Sequence, residues 1–426
     1  MKVRIHPASW EGKARSLRIP PSKSMAHRAI LCASLAKGKS VVRNIAYSDD
    51  ILATIAGMRQ LGASIETLED SVVVEGIGDH RQMESMTVDC NESGSTLRFF
   101  IPVFTLSGKP MTFVGRNRLL KRPQGVYESL YQERGLGFIQ TPDAITVEGS
   151  LTAGRYEIDG NISSQFISGL LFALPLLDGD SIIVIRPPFE SRSYIELTLE
   201  VLAQFGVRAF FVDNHTLLVP GNQKYRPCDY TVEGDFSQMA FFAVLGAVHG
   251  DLTCSGMCPN SQQGDKVILD ILQKAQARIL PLPDGYTIIK SQLHGTEIDL
   301  SDCPDLGPIL TVLAMYSQGE TRIINAGRLR YKESDRIAAM EEELRKFGVD
   351  IRTKEDEIII VGKESYCCTE EIFGHKDHRI VMSMAVAAVC SGQSAIIQGA
   401  ECIQKSYPNF FEDLQSLGIP VEVLEP

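Results

Sequence analysis

The amino-acid sequence predicts an α/β protein of two domains, each containing three related units. Three observations carry that expectation. Glycines recur as Gly38, Gly108, Gly179, Gly250, Gly319 and Gly392, with gaps of 70, 71, 71, 69 and 73 residues. Between them, short β-branched runs alternate with longer amphipathic stretches, the signature of alternating strands and helices. The chain has 426 residues, too many for one ordinary core. A period of about 70 also exceeds that of common solenoids, so closed domains are expected rather than an open stack.

The elements follow in order. Each recurring glycine is read as the residue just past a helix end, where the left-handed conformation suits glycine. In the first unit a strand at 40–43 precedes a helix over 48–62, entered through Ser48-Asp49-Asp50, and then a strand at 71–74 before Gly76. The third unit repeats this with a strand at 181–184, a helix over 191–206 and a strand at 217–219 before Gly221. The fifth does so with a strand at 321–324, a helix over 333–348 and a strand at 358–361 before Gly362. The fourth departs slightly, carrying Ala277 where a glycine closes the second helix elsewhere. The midpoint falls near Val232-Glu233-Gly234-Asp235, after the irregular stretch 222–228, and a domain boundary is expected there.

Composition narrows the class. At 44% hydrophobic and 22% charged the chain is ordinarily globular, and no apolar run reaches membrane-spanning length. Met1-Lys2-Val3-Arg4-Ile5 alternates like a strand and lacks the apolar core of a signal peptide. The net charge of −11 argues against generic binding to nucleic acid or an anionic membrane. Ten scattered cysteines form no paired C-x-x-C sets, so no metal is expected and the thiols are read as reduced, in a cytoplasmic protein.

Function shows at the start of the repeated helices, 15 or 16 residues before each glycine. There the chain reads Ser22-Lys23-Ser24 with Arg28, Glu92-Ser93-Gly94-Ser95 with Arg98, and Ser163-Ser164-Gln165. The second half reads Asp235-Phe236-Ser237-Gln238, Cys303-Pro304-Asp305 and Asp377-His378-Arg379. Ser and Asp at such places are what helix capping selects. Capping does not explain Lys23, Arg28, Arg98, Lys332, Arg336 and Arg379. A cation near a helix N-terminus opposes the macrodipole at a cost of about 0.3–1 kcal/mol. Repeated placement of this kind points to anionic ligands.

These motifs resemble those of the 3-phosphoshikimate 1-carboxyvinyltransferase family, also called 5-enolpyruvylshikimate-3-phosphate synthases. The resemblance rests on Ser22-Lys23-Ser24-Met25-Ala26-His27-Arg28, Ser163-Ser164-Gln165-Phe166, Lys332-Glu333-Ser334-Asp335-Arg336, Asp377-His378-Arg379 and Lys405-Ser406-Tyr407-Pro408, in order over nearly the whole chain. It implies two domains of three βαβαββ repeats, an inside-out α/β barrel arrangement with the active site in the cleft between domains. It also implies that the first strand returns to the second domain, giving bounds of 20–232 and of 1–19 with 233–426.

The activity implied is transfer of the enolpyruvyl group of phosphoenolpyruvate to the 5-hydroxyl of shikimate 3-phosphate, with release of phosphate through a tetrahedral intermediate. No cofactor is implied, and a monomer is expected. Carried over by motif, Lys23, Ser24 and Arg28 resemble substrate ligands, with Lys23 reaching both substrates. Ser163, Ser164 and Gln165 resemble the grip on shikimate 3-phosphate, and Ser191 a further contact to its phosphate. Gly94, Arg122, Arg336, Arg379 and Lys405 match positions that hold phosphoenolpyruvate, and Lys332 a contact to the shikimate moiety. Asp305 matches the proton-accepting carboxylate, with Glu333 and Lys23 as partners in proton transfer.

Three positions depart from the family pattern: Glu92 replaces a neutral amide, while His27 and Arg328 stand where asparagine is frequent. The main alternative is the sister transferase acting on UDP-N-acetylglucosamine, which usually carries a cysteine in a glycine-rich loop. The corresponding stretch, Gly115-Arg116-Asn117-Arg118-Leu119-Leu120-Lys121-Arg122, has none. A non-catalytic repeat protein binding phosphorylated ligands is the other alternative. Asp305 and Glu333 oppose it, because carboxylates beside an anion weaken binding unless they move protons.

Overall fold

The computed structural model describes residues 1–10, 15–78 and 84–425. Residues 11–14, 79–83 and 426 fall within the domain bounds expected above and lie outside the described residues. The chain divides into two compact units, one formed by Lys23–Val232 and the other by Met1–Ser22 together with Glu233–Pro426. Each has its own apolar core.

Among the described residues each unit contains three four-stranded sheets of one pattern: a parallel pair at one edge, followed by two antiparallel pairings. In four of the six parallel pairs among the described residues a single α-helix lies between the two strands, because parallel neighbours need a crossover. In the Lys23–Val232 unit, Gly94–Thr105 links strands Met86–Asp89 and Gly108–Val114, and Ser164–Ala173 links Arg155–Asp159 and Ser181–Arg186. The first sheet takes its parallel edge strand, Asp229–Thr231, from the end of the unit, beside Lys37–Arg43. The other unit borrows from the opposite direction. Arg15–Arg18 pairs in parallel with Leu252–Ser255, and Lys2–Ile5 lies between Ala395–Gln398 and Val421–Glu425.

The crossover helices are nearly buried all round, as their unbroken apolar runs require. Phe236–Val248, Gly307–Met315 and His378–Ser391 pack on one another in one unit, while Gly94–Thr105 packs on Ser164–Ala173 in the other. Polar residues cap four of these N-termini, whereas Gly307–Met315 follows a 3-10 turn over Pro304–Leu306 and has Leu306 at its N-cap. Ser93 accepts from the Thr96 N–H, Ser163 from Gln165, Asp235 from Ser237 and Gln238, and Asp377 from Arg379.

Two local expectations need correction. Of the six recurring glycines only Gly392 closes its helix in the left-handed conformation, with φ 69°. Gly108 and Gly319 instead open the next strand with φ 75° and 91°, and Gly38 lies inside Lys37–Arg43. The helices before Gly108 and Gly319 end earlier, at Leu106 in the right-handed region and at Tyr316 with φ −101° and ψ 5°. A positive φ is needed where the chain turns back into the sheet, so glycine is required a few residues later than a helix cap. The helix expected from Glu333 begins at Arg336, capped by Asp335. A 3-10 turn over Gly327–Tyr331 precedes it and leaves Lys332 and Glu333 in the connection.

Candidate active site

The Lys23–Val232 unit gathers cations around helix starts. Lys23 is the first residue of its helix, and its ammonium lies 2.7 Å from the Asp50 carboxylate. Ser24 follows, its carbonyl accepting from Arg28 Nη1 at 2.7 Å. Arg28 is buried and also donates to Thr198 Oγ1 at 2.8 Å and the Tyr194 carbonyl at 3.2 Å. Burial pulls its pKa down to about 10, since no carboxylate compensates the desolvation.

Gly94 opens the next helix. A Cβ there would stand 2.9 Å from Arg122 Nη1, 3.4 Å from Gln165 Oε1 and 3.9 Å from Arg98 Nη1. The glycine thus leaves space where two guanidinium groups and an amide converge on a helix N-terminus. Gln165 holds that arrangement, accepting from Arg98 at 2.7 Å and donating to Ser95 Oγ at 2.9 Å. Ser163 and Ser164 sit at the start of the same helix as Gln165. Ser191 occupies the N-cap position of the Arg192–Gln204 helix without a side-chain cap bond, in the left-handed region at φ 55° and ψ 37°, a strained conformation for a residue with a Cβ. Four cations of this unit, Lys23, Arg28, Arg98 and Arg122, thus lie at or beside these helix starts, with Lys23 paired to Asp50.

The other unit brings together every residue carried over to it. Asp305 Oδ1 lies 3.1 Å from Lys332 Nζ and 3.2 Å from Arg336 Nη1, and Oδ2 lies 3.2 Å from Arg379 Nη2. Its side chain is 27% exposed, whereas that of Arg336 is 1% exposed. Glu333 bonds Arg336 at 2.9 Å and lies 3.7 Å from Lys405 Nζ. Behind them Asp377, fully buried, clamps Arg336 through Nε at 2.8 Å and Nη2 at 3.2 Å. Burial alone would raise the Asp305 carboxyl, but Arg379, Lys332 and Arg336 outweigh it and hold the group well below the usual carboxylate range. Burial lowers the Lys332 ammonium despite Asp305 beside it. Here cations and carboxylates nearly balance, an arrangement suited to moving protons as well as binding charge.

Several members were not singled out as site residues from the sequence: Asp50, Ser237, Asp265 and Asp377; Arg98 was read as a cation facing an anionic ligand but given no particular role. Ser237 accepts from Arg379 at 2.8 Å and donates to buried Asp265 at 2.6 Å. Burial and the neighbouring Asp305 push Asp265 up to about 6. Of the departures, Glu92 accepts from Asn117 Nδ2, and Arg328 donates to the Ser301 carbonyl.

The sequence model of the EPSP synthase (3-phosphoshikimate 1-carboxyvinyltransferase) family matches residues 13–414. The chain belongs to the EPSP synthase family. It is 46% identical over 420 residues to a 3-phosphoshikimate 1-carboxyvinyltransferase of Clostridium perfringens, covering 98% of each chain. It is 42% identical over 427 residues to one from Clostridioides difficile, covering 98% of this chain and 97% of the relative. Among solved structures, an EPSP synthase from Acinetobacter baumannii matches with TM-score 0.82 and 25% identity over the full length of both chains. The enolpyruvyl transferase NikO from Streptomyces tendae, at 15% identity, TM-score 0.79 and coverage of 100% of this chain and 99% of its own, shares the fold. No helix among the described residues is long and apolar enough to cross a membrane.

Proposed function

We propose that this EPSP synthase family member transfers the enolpyruvyl group of phosphoenolpyruvate to the 5-hydroxyl of shikimate 3-phosphate and releases phosphate. The observation that carries this reading is the contrast between the two clusters. One sets the Arg98 and Arg122 guanidinium groups around the space that Gly94 leaves at a helix N-terminus. The other surrounds a carboxylate with cations that anionic substrates would engage. The substrates together carry two phosphates and two carboxylates, so guanidinium and ammonium donors supply both affinity and orientation.

The chemistry needs a base for the 5-hydroxyl proton and an acid for the methylene carbon, with both roles reversed during elimination. Asp305 is the base. Three cations depress its proton affinity, and anionic substrate groups drawing on Lys332 and Arg379 restore it when the hydroxyl arrives. Glu333 and Lys23 serve the proton transfer at carbon. Gly94, Arg122, Arg336, Arg379 and Lys405 hold phosphoenolpyruvate. Ser24, Arg28, Ser163, Ser164, Gln165, Ser191 and Lys332 hold shikimate 3-phosphate. The protein works as a cytoplasmic monomer on these small molecules.

The test is phosphate release from phosphoenolpyruvate with shikimate 3-phosphate and, separately, with UDP-N-acetylglucosamine as acceptor. Turnover is expected with the first alone, and turnover with the second alone would assign the sister reaction. Asp305→Asn is expected to bind shikimate 3-phosphate yet lose about 10²–10⁴ in kcat, the usual contribution of a general base. Unchanged kcat would remove Asp305 from that role.

A further inference from the structure

His27 lies one helical turn after Lys23, fully buried, at the head of a chain of hydrogen bonds joining three helices. Its Nδ1 is 2.7 Å from Thr54 Oγ1 on the Asp49–Gln60 helix. Thr54 Oγ1 is 2.7 Å from Thr96 Oγ1, and Thr96 Oγ1 donates to Ser93 Oγ at 2.7 Å. Ser93 is the N-cap of the Gly94–Thr105 helix and also accepts from the Thr96 N–H at 3.1 Å. His27 Nε2 is buried and has no hydrogen-bond partner among the described residues.

Proton bookkeeping orients the chain. Each hydroxyl has one proton to give. Thr96 gives its proton to Ser93, so Thr54 must give its own to Thr96. The donor to Thr54 is then His27 Nδ1–H. Reversing the chain would place the ring proton on Nε2, a buried N–H with no acceptor, and such orphaned donors are rarely tolerated. The surroundings agree: desolvation dominates, with Lys23 and Arg28 adding to it against Asp50, and together they lower the imidazole pKa to about 3.

We propose that His27 is a positioning residue, a neutral Nδ1–H imidazole that holds the Ser93 cap and thereby fixes the anion-facing start of the Gly94–Thr105 helix. The consequence for phosphoenolpyruvate rests on the function proposed above; the tautomer does not. His27→Leu leaves Thr54 without its donor. His27→Asn places an amide N–H close to where Nδ1 stood.

Two measurements test this. Nitrogen-15 NMR of the histidine-labelled wild-type protein is expected to show His27 protonated at Nδ1, bare at Nε2, and unchanged from pH 8 to pH 5. A proton on Nε2, or titration in that range, overturns the proposal. Steady-state kinetics of His27→Leu are expected to show KM for phosphoenolpyruvate raised about three- to tenfold, the effect of one net hydrogen bond. KM for shikimate 3-phosphate and kcat should stay within about twofold, and His27→Asn should recover most of the loss. An unchanged KM for phosphoenolpyruvate, a parallel change in all constants, or no rescue by asparagine overturns it. If the wild type transfers no enolpyruvyl group, the functional reading falls while the NMR result still decides the tautomer and its chain.

Discussion

Replacing Asp377 with alanine tests how the buried Arg336 is kept in place. Asp377 accepts four hydrogen bonds: two from Arg336, one from Ser334 Oγ at 3.0 Å, and one from the Arg379 N–H at 2.9 Å. Breaking a buried ion pair by removing one partner costs about 3–5 kcal/mol. Arg336 keeps Glu333 and Asp305, which places the loss near the lower end of that range. Losing the helix cap adds about 1 kcal/mol, giving a total near 4 kcal/mol. The single tryptophan, Trp10, is buried in the core of the unit that holds Asp377, so its fluorescence reports unfolding there. With a urea slope of about 2 kcal/mol per molar, the midpoint is expected to fall by roughly 2 M. Asp377→Asn, which keeps polar contacts without the charge, should lie between the two. A midpoint for the alanine variant within about 0.3 M of wild type would refute the argument.

Other perturbations probe the remaining features. Gly94→Ala should fold normally, because its Cβ meets the movable end of Arg122. Displacing that guanidinium should raise KM for phosphoenolpyruvate about tenfold, with KM for shikimate 3-phosphate little changed, as steady-state kinetics would show. His27, at about 3 when folded against 6.5 when unfolded, contributes stability that is whole above pH 6.5 and is lost as pH falls toward 3. Between pH 8 and pH 5 wild type should therefore lose about 2 kcal/mol more than His27→Asn in urea titrations followed by circular dichroism. Arg28→Lys cannot reach Ser24, Thr198 and Tyr194 together. It should lower thermal stability by about 1–3 kcal/mol and weaken shikimate 3-phosphate binding, seen by calorimetry.

Signals that act over two or three residues were legible in the chain itself. Ser163, Asp235 and Asp377 cap the helices that their placement announced, because a cap needs only its own turn. The motif residues Asp305, Lys332, Glu333, Arg336, Arg379 and Lys405 likewise prove to be one connected cluster. Partners distant in the chain were hidden. Asp50 meets Lys23 across 27 positions, Asp377 meets Arg336 across 41, and Gln165 meets Arg98 across 67. In sequence Asp50 and Asp377 look like ordinary caps, so their role as counter-charges was invisible. The cations at helix starts were read as awaiting ligands, yet for Lys23 and Arg336 protein carboxylates already supply much of the balance. The glycines were placed at helix ends because a cap and a strand entrance both favour positive φ.

The pairing of Lys2–Ile5 with strands near the far terminus sets an order on synthesis. Arg4 contacts Glu422, 418 positions later. At about 5–20 residues per second a ribosome needs roughly 20–80 s to make that partner. The Lys23–Val232 unit is contiguous, so it can fold while translation continues. The Lys2–Ile5 segment emerges long before its partners and is therefore among the last to find its place. Until then its strand edge stays open, a template for pairing with another nascent chain. Fusions at the N-terminus would act on this waiting period, changing the yield of folded protein while leaving the finished enzyme's turnover as it was.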